Sequence, residues 1–341
     1  MKKIFLSVLA IAALAACSKS EVVLDHENEI GIVPSTKNIT KISGSTGALA
    51  TDQELGIWAY WDNDGTVETN VTSYANYNSD YLVNALFAQK SGSWAGSGEA
   101  YPWPVNGSLV FAGYTTQGDD VFSSTAVSYN LSFDQMIFTN YNNSTEFDLC
   151  WFGRTAGSYN NRTTSAAVPV TLSHALTWIS IAVYGEGTPV GNWKITKMTL
   201  SNVAVSGTGT CDGDTKKATW TNLTIYDADP NTDGNQGYVV YNGAHIISAG
   251  TTTGGKTTGT TLTNNVLIPY IPGDLTIDYE FTVQGSTKTD SKTVSLKLDD
   301  SDSKWTSGIH YTYTLKFTGN EILVAPEYGE WATEDKSVTV E

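Results

Sequence analysis

Three groups of residues in this chain have types and spacings that could do chemistry. Cys17 ends the run Leu14-Ala15-Ala16-Cys17, in which small residues precede a thiol at the foot of an apolar stretch. At such a pattern a leader peptide is removed and the sulfur acylated, so Cys17 is the predicted lipidation site and new N-terminus. An ordinary secretory cut beside a chance cysteine is the alternative. Asp229-Pro230-Asn231-Thr232-Asp233-Gly234 places oxygen donors at Asp229, Asn231 and Asp233 and a glycine at the bend, as a calcium loop does. The closing bidentate glutamate is replaced by Val240 and no helical pattern flanks the loop, so a polar turn between strands is the plainer reading. No other metal and no organic cofactor is expected. Trp61 and Trp94, beside turns, could offer faces for sugar rings to stack on. Trp58, Trp178 and Trp193 lie inside strand patterns and are expected in the core.

Catalytic signatures are not among these groups. The four histidines, His26, His174, His245 and His310, stand in no His-Glu-x-x-His context, and the sequence has no Cys-x-x-Cys pair and no Gly-x-Ser-x-Gly elbow. With 35 acidic residues, no spacing singles out a carboxylate pair for glycoside hydrolysis. The chain is therefore read as non-enzymatic. His174, between Leu172 and Leu176, is expected to be a core or edge histidine with a satisfied hydrogen bond. Cys150 and Cys211 could pair in an oxidising compartment, but Cys150 lies in the largely apolar stretch Phe147 to Phe152, where a buried free thiol fits equally well.

The elements that must carry these residues are strands. Lys2 and Lys3 followed by the apolar run Ile4 to Leu14 make residues 1–16 a signal peptide, too short to span a bilayer. The chain has 341 residues and a net charge of −16, and loss of that peptide leaves 17 basic side chains against 35 acidic ones, or −18. Such a balance excludes nucleic-acid binding, which needs clustered cations. Only 16% of residues are charged and 11% are aromatic, the composition of a folded chain. Thr, Ser, Gly, Asn, Val and Tyr are abundant, and runs such as Leu55 to Trp61, Ser108 to Tyr114, Leu176 to Tyr184 and His310 to Phe317 alternate or stay apolar between turn signals. The prediction is an all-β protein of two tandem β-sandwich-like domains, residues 52–185 and 186–341, divided at Gly185-Glu186-Gly187-Thr188-Pro189. Residues 17–51 form a tether, a short extended segment Glu29 to Pro34, and a loop Ser35 to Thr51. The Thr- and Gly-rich stretch Gly243 to Thr263 is expected to be a surface loop.

Several segments together resemble the fimbrillin family of Bacteroidetes, the lipoprotein-derived type V pilins with major and minor subunits. They are the lipobox ending at Cys17, Gly56-Ile57-Trp58-Ala59-Tyr60-Trp61, and Tyr101-Pro102-Trp103-Pro104 followed by Leu109-Val110-Phe111-Ala112-Gly113-Tyr114. Leu172-Ser173-His174-Ala175-Leu176-Thr177, Leu267-Ile268-Pro269 and the closing Trp305 to Tyr313 with Ile322 and Trp331 complete the set. Their order over nearly the whole chain carries the resemblance.

The resemblance implies transthyretin-like, Greek-key sandwiches, export as a lipoprotein, an outer-membrane location and a fimbrial role in adhesion, with other fimbrial subunits as partners and a host or bacterial surface as ligand. In polymerising members a protease cuts the loop after the first strand, that strand is lost, and an extended segment from a neighbour, usually its C-terminus, fills the groove. Here Glu29 to Pro34 corresponds to the detachable strand, with Ile30 and Ile32 as pocket-filling residues. The tail 336–341 corresponds to the donor, with Val338 and Val340 on one face. The loop after the first strand has no arginine. Its basic residues, Lys37 and Lys41, are the candidate maturation sites for a lysine-directed or other protease, and the two arginines, Arg154 and Arg162, lie far along the chain; left uncut, the chain reads as an anchor or accessory lipoprotein. The competing reading is an outer-membrane lipoprotein that captures polysaccharide through exposed tryptophans.

Overall fold

The structure is a computed structural model. It describes residues 29–35, 53–62, 74–77, 79–90, 93–104, 107–116, 125–143, 147–154, 167–187, 192–226, 237–283, 285–296, 304–318, 322–330 and 338–339. Among the described residues there is no helix, and the chain is all-β. The first ten strands are β1 (Ile32–Ser35), β2 (Glu54–Asp62), β3 (Ser79–Lys90), β4 (Ser93–Gly96), β5 (Ser108–Thr116), β6 (Ala126–Asn130), β7 (Gln135–Asn142), β8 (Cys150–Phe152), β9 (Val168–Thr171) and β10 (Ser173–His174). Then come β11 (Thr177–Gly185), β12 (Trp193–Leu200), β13 (Val203–Asp212), β14 (Lys217–Tyr226), β15 (Tyr238–Ile246), β16 (Thr251–Thr253) and β17 (Lys256–Thr258). The last six are β18 (Thr260–Leu267), β19 (Asp274–Val283), β20 (Ser286–Ser295), β21 (Ile309–Phe317), β22 (Ile322–Glu330) and β23 (Val338–Thr339).

An eight-stranded sheet runs in the order β10-β8-β5-β2-β3-β4-β1-β9. Its edge strands, β9 and β10, are joined by one residue, Leu172, so the sheet must roll until its edges meet. One face of the roll encloses Ile30, Ile32, Leu55, Ile57, Phe87, Trp94, Leu109, Phe111, Val168 and Val170. The other face packs Trp58, Ala112 and Tyr114 against Met136, Phe138, Cys211 and Trp220 of a four-stranded sheet, β14-β13-β7-β6. Central strands buried on both faces lose their alternation, which is why Leu109-Val110-Phe111-Ala112 reads as a continuous apolar run and all nine residues of β5 are buried.

The second layer pair sets the five-stranded sheet β18-β11-β21-β22-β23 over the four-stranded sheet β15-β12-β19-β20. Between them lie Ile179, Ile181 and Val183 of β11, Met198 of β12, Ile277 of β19 and Tyr313, Leu315 and Phe317 of β21. The regular β21 pattern, with every second residue buried, is the alternation the sequence shows at His310 to Phe317.

Hydrogen bonding does not divide at 185/186, where the composition placed the boundary. β11, on the N-terminal side, pairs with β18 and β21 in the second layer pair. The β13–β14 hairpin, on the C-terminal side, reaches back to pair with β7 and buries Cys211 and Trp220 in the first. The Gly-rich signal falls between β11 and β12, two strands of the same layer pair, and is local in origin, whereas sheet membership is decided by which apolar face a strand can cover.

The stretch Gly243 to Thr263 is also not a loop. It contains the end of β15, the hairpin β16–β17 and the start of β18. Thr252 Oγ1 meets Thr257 Oγ1 at 2.9 Å across that hairpin. The turn is Gly254-Gly255, with φ of +60° and +83°, the doubly left-handed pair that a two-residue hairpin turn requires. Threonine suits an exposed strand as well as a loop, and the pairing distinguishes them.

Candidate strand-exchange site

β1 is held on both sides. It runs antiparallel to β4, with Ile32 opposite Trp94, and parallel to β9, with Ile32, Val33, Pro34 and Ser35 opposite Val168, Pro169, Val170 and Thr171. The Ile30 N–H donates to Tyr101 O at 2.8 Å, the Val168 N–H to Gly31 O at 2.7 Å and the Leu172 N–H to Ser35 O at 3.1 Å. Ser35 Oγ donates to Val170 O at 3.1 Å. Upstream, Glu29 bridges to Pro102 and pairs with Lys90 Nζ at 3.7 Å.

The period of two sends Ile30 and Ile32 inward and Val33 outward. Both isoleucines are 0% exposed, while Val33 is 38% exposed. Burying two such side chains is worth about 3–6 kcal/mol in transfer terms. Removal of the segment would leave two empty apolar sockets and unpaired backbone on both β4 and β9.

At the other end of the chain, β23 pairs antiparallel with β22 over two residues, Val338 opposite Tyr328 and Thr339 opposite Glu327, at the edge of the five-stranded sheet. Cys17, Lys37, Lys41, Val340 and the calcium candidates Asp229, Asn231 and Asp233 lie outside the described residues. Arg154 is held in place: its backbone N–H donates to Asp134 Oδ1 at 2.7 Å, its Nε stands 3.5 Å from Asp134 Oδ2, and its guanidinium lies 4.2 Å from the Tyr74 ring centroid.

The two tryptophans proposed as sugar platforms differ: Trp61 is half-buried and Trp94 is a core residue. Trp94 is buried in the core beneath β1, and Trp61 packs edge-on against Tyr81 with ring centroids 6.2 Å apart. Trp58 is in the core as expected, whereas Trp178 and Trp193 are only half-buried at core margins, Trp193 packing against Tyr279, Phe281 and Phe317 and Trp178 stacking on His310 at 3.7 Å.

Cys150 and Cys211 are buried free thiols in different core clusters. Burial pushes both thiols up from their ordinary range. His174 is buried and its Nδ1 lies 2.9 Å from Asp148 Oδ1, the satisfied core histidine that its neighbours predict. The sequence reading missed that Cys150 completes this group: its Sγ stands 3.3 Å from the same Nδ1 and 3.5 Å from the same Oδ1. The signal was present as Asp148-x-Cys150, two residues on one strand face, but the partner histidine comes from another strand. In a nucleophile relay, thiol and carboxylate engage opposite ring nitrogens. Here both face Nδ1, so the group is not arranged as a relay.

A search of curated proteins finds no significant match. Among solved structures, a fimbrial protein from Bacteroides vulgatus aligns with a TM-score of 0.53 at 18% identity, over 88% of this chain and 99% of that one. A candidate cell-adhesion protein from Bacteroides uniformis aligns with a TM-score of 0.50 at 15% identity, over 89% and 98%. At these identities the likeness concerns the fold. The model of the Fimbrillin-like family matches residues 40–331, most of the chain. The chain therefore belongs to the Fimbrillin-like family.

Proposed function

We propose that this protein is a structural subunit of cell-surface fimbriae, in the shaft, at the tip or at the anchor, that joins its neighbours by β-strand complementation and supports adhesion. It is anchored to the outer membrane through acylated Cys17. The observation that carries the assembly reading is the seat of β1: a four-residue strand, with Ile30 and Ile32 fully buried, lies between β4 and β9 and is continuous with the loop that contains Lys37 and Lys41. A cut at either lysine leaves a segment held by two short ladders, to β4 and β9, and by two buried side chains. The groove so opened accepts an extended donor with matching alternation, and the Val338/Val340 tail offers one.

The test compares the chain from Cys17 onward before and after a lysine-specific protease has cut the 36–51 loop. Cut protein is expected to release the N-terminal segment and form strand-exchanged oligomers, and a chain lacking residues 336–341 is expected to fail to do so. Cut protein that stays monomeric, together with unchanged surface fibres when 336–341 are deleted, sinks the reading. Immunogold labelling of cells along the shaft, at the tip or at the base of fibres reports the subunit's place. The polysaccharide-capture reading loses Trp94, which is buried in the core, and Trp61 is half-buried against the same cluster.

A further inference from the structure

Three donors of different chemistry converge inside the first sandwich. Cys150 on β8 and His174 on β10 are register partners across an antiparallel pair, and Asp148 lies two residues before Cys150 on the same face. Side chains directly opposite and two apart are the closest neighbours a sheet can provide. All three residues are buried, and Sγ, Nδ1 and a carboxylate oxygen lie within 4.8 Å of one another.

The triangle they form has edges of 3.5 Å from Sγ to Oδ1, 3.3 Å from Sγ to Nδ1 and 2.9 Å from Nδ1 to Oδ1. A tetrahedral zinc ion with bonds of about 2.3 Å to sulfur and about 2.0–2.1 Å to nitrogen and oxygen sets such edges at about 3.3–3.6 Å. The donors thus stand within a few tenths of an ångström of one face of a zinc tetrahedron.

Two further observations point to a cation. Asp148 Oδ2 is buried and has no hydrogen-bond partner among the described residues, so half of a desolvated carboxylate is uncompensated. The backbone around the donors is also fixed. Thr115 Oγ1 on β5 accepts the Cys150 N–H at 2.8 Å and faces the Asp148 carbonyl at 3.2 Å, holding the ligand strand as outer partners of metal sites do. A thiolate, a carboxylate and a neutral imidazole around a divalent ion make an electrically neutral group, which is the form that a closed interior accepts.

We propose that Asp148, Cys150 and His174 form a structural zinc site that closes the first sandwich. Asp148 Oδ2 is available to complete the coordination. On binding, the Cys150 Sγ–H bond is replaced by an Sγ–Zn bond and its proton leaves to solvent, while the proton between His174 Nδ1 and Asp148 Oδ1 is given up, so that the neutral imidazole coordinates through Nδ1 and carries its proton on Nε2. No electron is transferred. Because the donors are buried, the ion enters as the chain folds rather than after it.

The experiment refolds the full chain with chelator present or with one equivalent of cobalt(II) or zinc(II) chloride. With cobalt, one ion per chain is expected, with a thiolate-to-cobalt charge-transfer band that zinc displaces. Cys150→Ser should abolish the band and Cys17→Ser and Cys211→Ser should keep it, while Asp148→Asn and His174→Gln should weaken binding at least about tenfold. Since Cys150→Ser could fail to fold, zinc-edge X-ray absorption on the Cys17→Ser/Cys211→Ser chain gives a reading with Cys150 intact: one sulfur among lighter ligands is expected. A folded chain with no charge-transfer band, a band that survives Cys150→Ser, or a zinc shell without sulfur overturns the proposal. In those outcomes the cluster is a thiol–carboxylate–imidazole hydrogen-bond network.

Discussion

Ile32 stands directly opposite Trp94, and both side chains are buried in one cluster although 62 positions separate them in the chain. The tryptophan forms part of the socket that receives the isoleucine. Replacing Ile32 with alanine is expected to cost about 2–5 kcal/mol, because the socket is walled by a rolled sheet that cannot collapse. Val33→Ala, at an exposed position on the same strand, should change stability by no more than about 0.5 kcal/mol. Urea denaturation of the full chain followed by tryptophan fluorescence measures both, and equal effects would contradict the inward-outward assignment.

Asp134 ties three segments together. It accepts from the Tyr129 hydroxyl at 2.6 Å and from the Arg154 N–H at 2.7 Å, and a methyl group on Gly213 would overlap its carboxylate. Desolvation, and then the bond to this carboxylate, pushes the Tyr129 phenol well above its ordinary range. Asp134→Ala is expected to destabilise by about 2–4 kcal/mol, as removal of one partner from a buried charged network does. Gly213→Ala should cost about 1–3 kcal/mol alone. The double variant should cost at least about 0.5 kcal/mol less than the sum, since without the carboxylate the methyl has room. Strict additivity by denaturant melts would show that the contact is not shared.

The same tie governs proteolysis at arginine. With its guanidinium over Tyr74 and its N–H bonded to Asp134, Arg154 should resist an arginine-specific protease in the native chain and become cleavable in Asp134→Ala. Mass spectrometry of a timed digest reads the site. Rapid native cleavage after Arg154 would contradict this geometry.

Asp212 closes the β13–β14 turn. The Thr215 N–H, with further help from the Thr215 hydroxyl, the Asp214 N–H and the Lys216 charge, holds its carboxyl below the usual range. A depressed carboxylate stabilises the fold above its unfolded value of about 3.9 and loses that contribution as pH falls through the lower folded value. Asp212→Asn should therefore bring the stability at neutral pH nearer to that at acid pH, flattening the profile below about pH 4. An unchanged slope in melts between neutral pH and the acid limb would reject this role.

Gly254 and Gly255 test the hairpin that replaced the expected loop. Neither position has atoms that a methyl would meet, so the cost of substitution is backbone alone. Gly255→Ala should destabilise the β16–β17 pairing by about 1–2 kcal/mol, and Gly254→Asn should be tolerated. Amide hydrogen exchange at Thr252 and Thr257 reports the local change, and equal protection in both variants would count against the turn.

The strands with a regular alternation or a continuous apolar run, β2, β5, β11 and β21, were legible because burial on one face or two leaves a direct mark on residue order. Ile30 and Ile32 were legible for the same reason. Sheet membership was not, because β13 and β14 carry no mark of pairing with β7 until Cys211 and Trp220 are seen to fill its core. Trp94 reads as a turn-side residue because Gly92 and Gly96 flank it, and only the curl of the sheet covers it. The Asp148–Cys150–His174 group joins a stretch read only as apolar, Phe147 to Phe152, to a histidine read only as a core or edge residue. Its chemistry exists only in their register.

The two neighbours of β1 run in opposite senses relative to it, antiparallel on the β4 side and parallel on the β9 side. A replacement strand entering that gap in either direction would be parallel to one neighbour and antiparallel to the other, so the sense of the neighbours does not choose its direction, and the sockets left by Ile30 and Ile32 must do so. Whichever way the donor runs, a polymer made this way would be polar: each subunit would give with one end and receive with the other, so growth would proceed head to tail without closing on itself unless the rotation between copies happened to complete a ring.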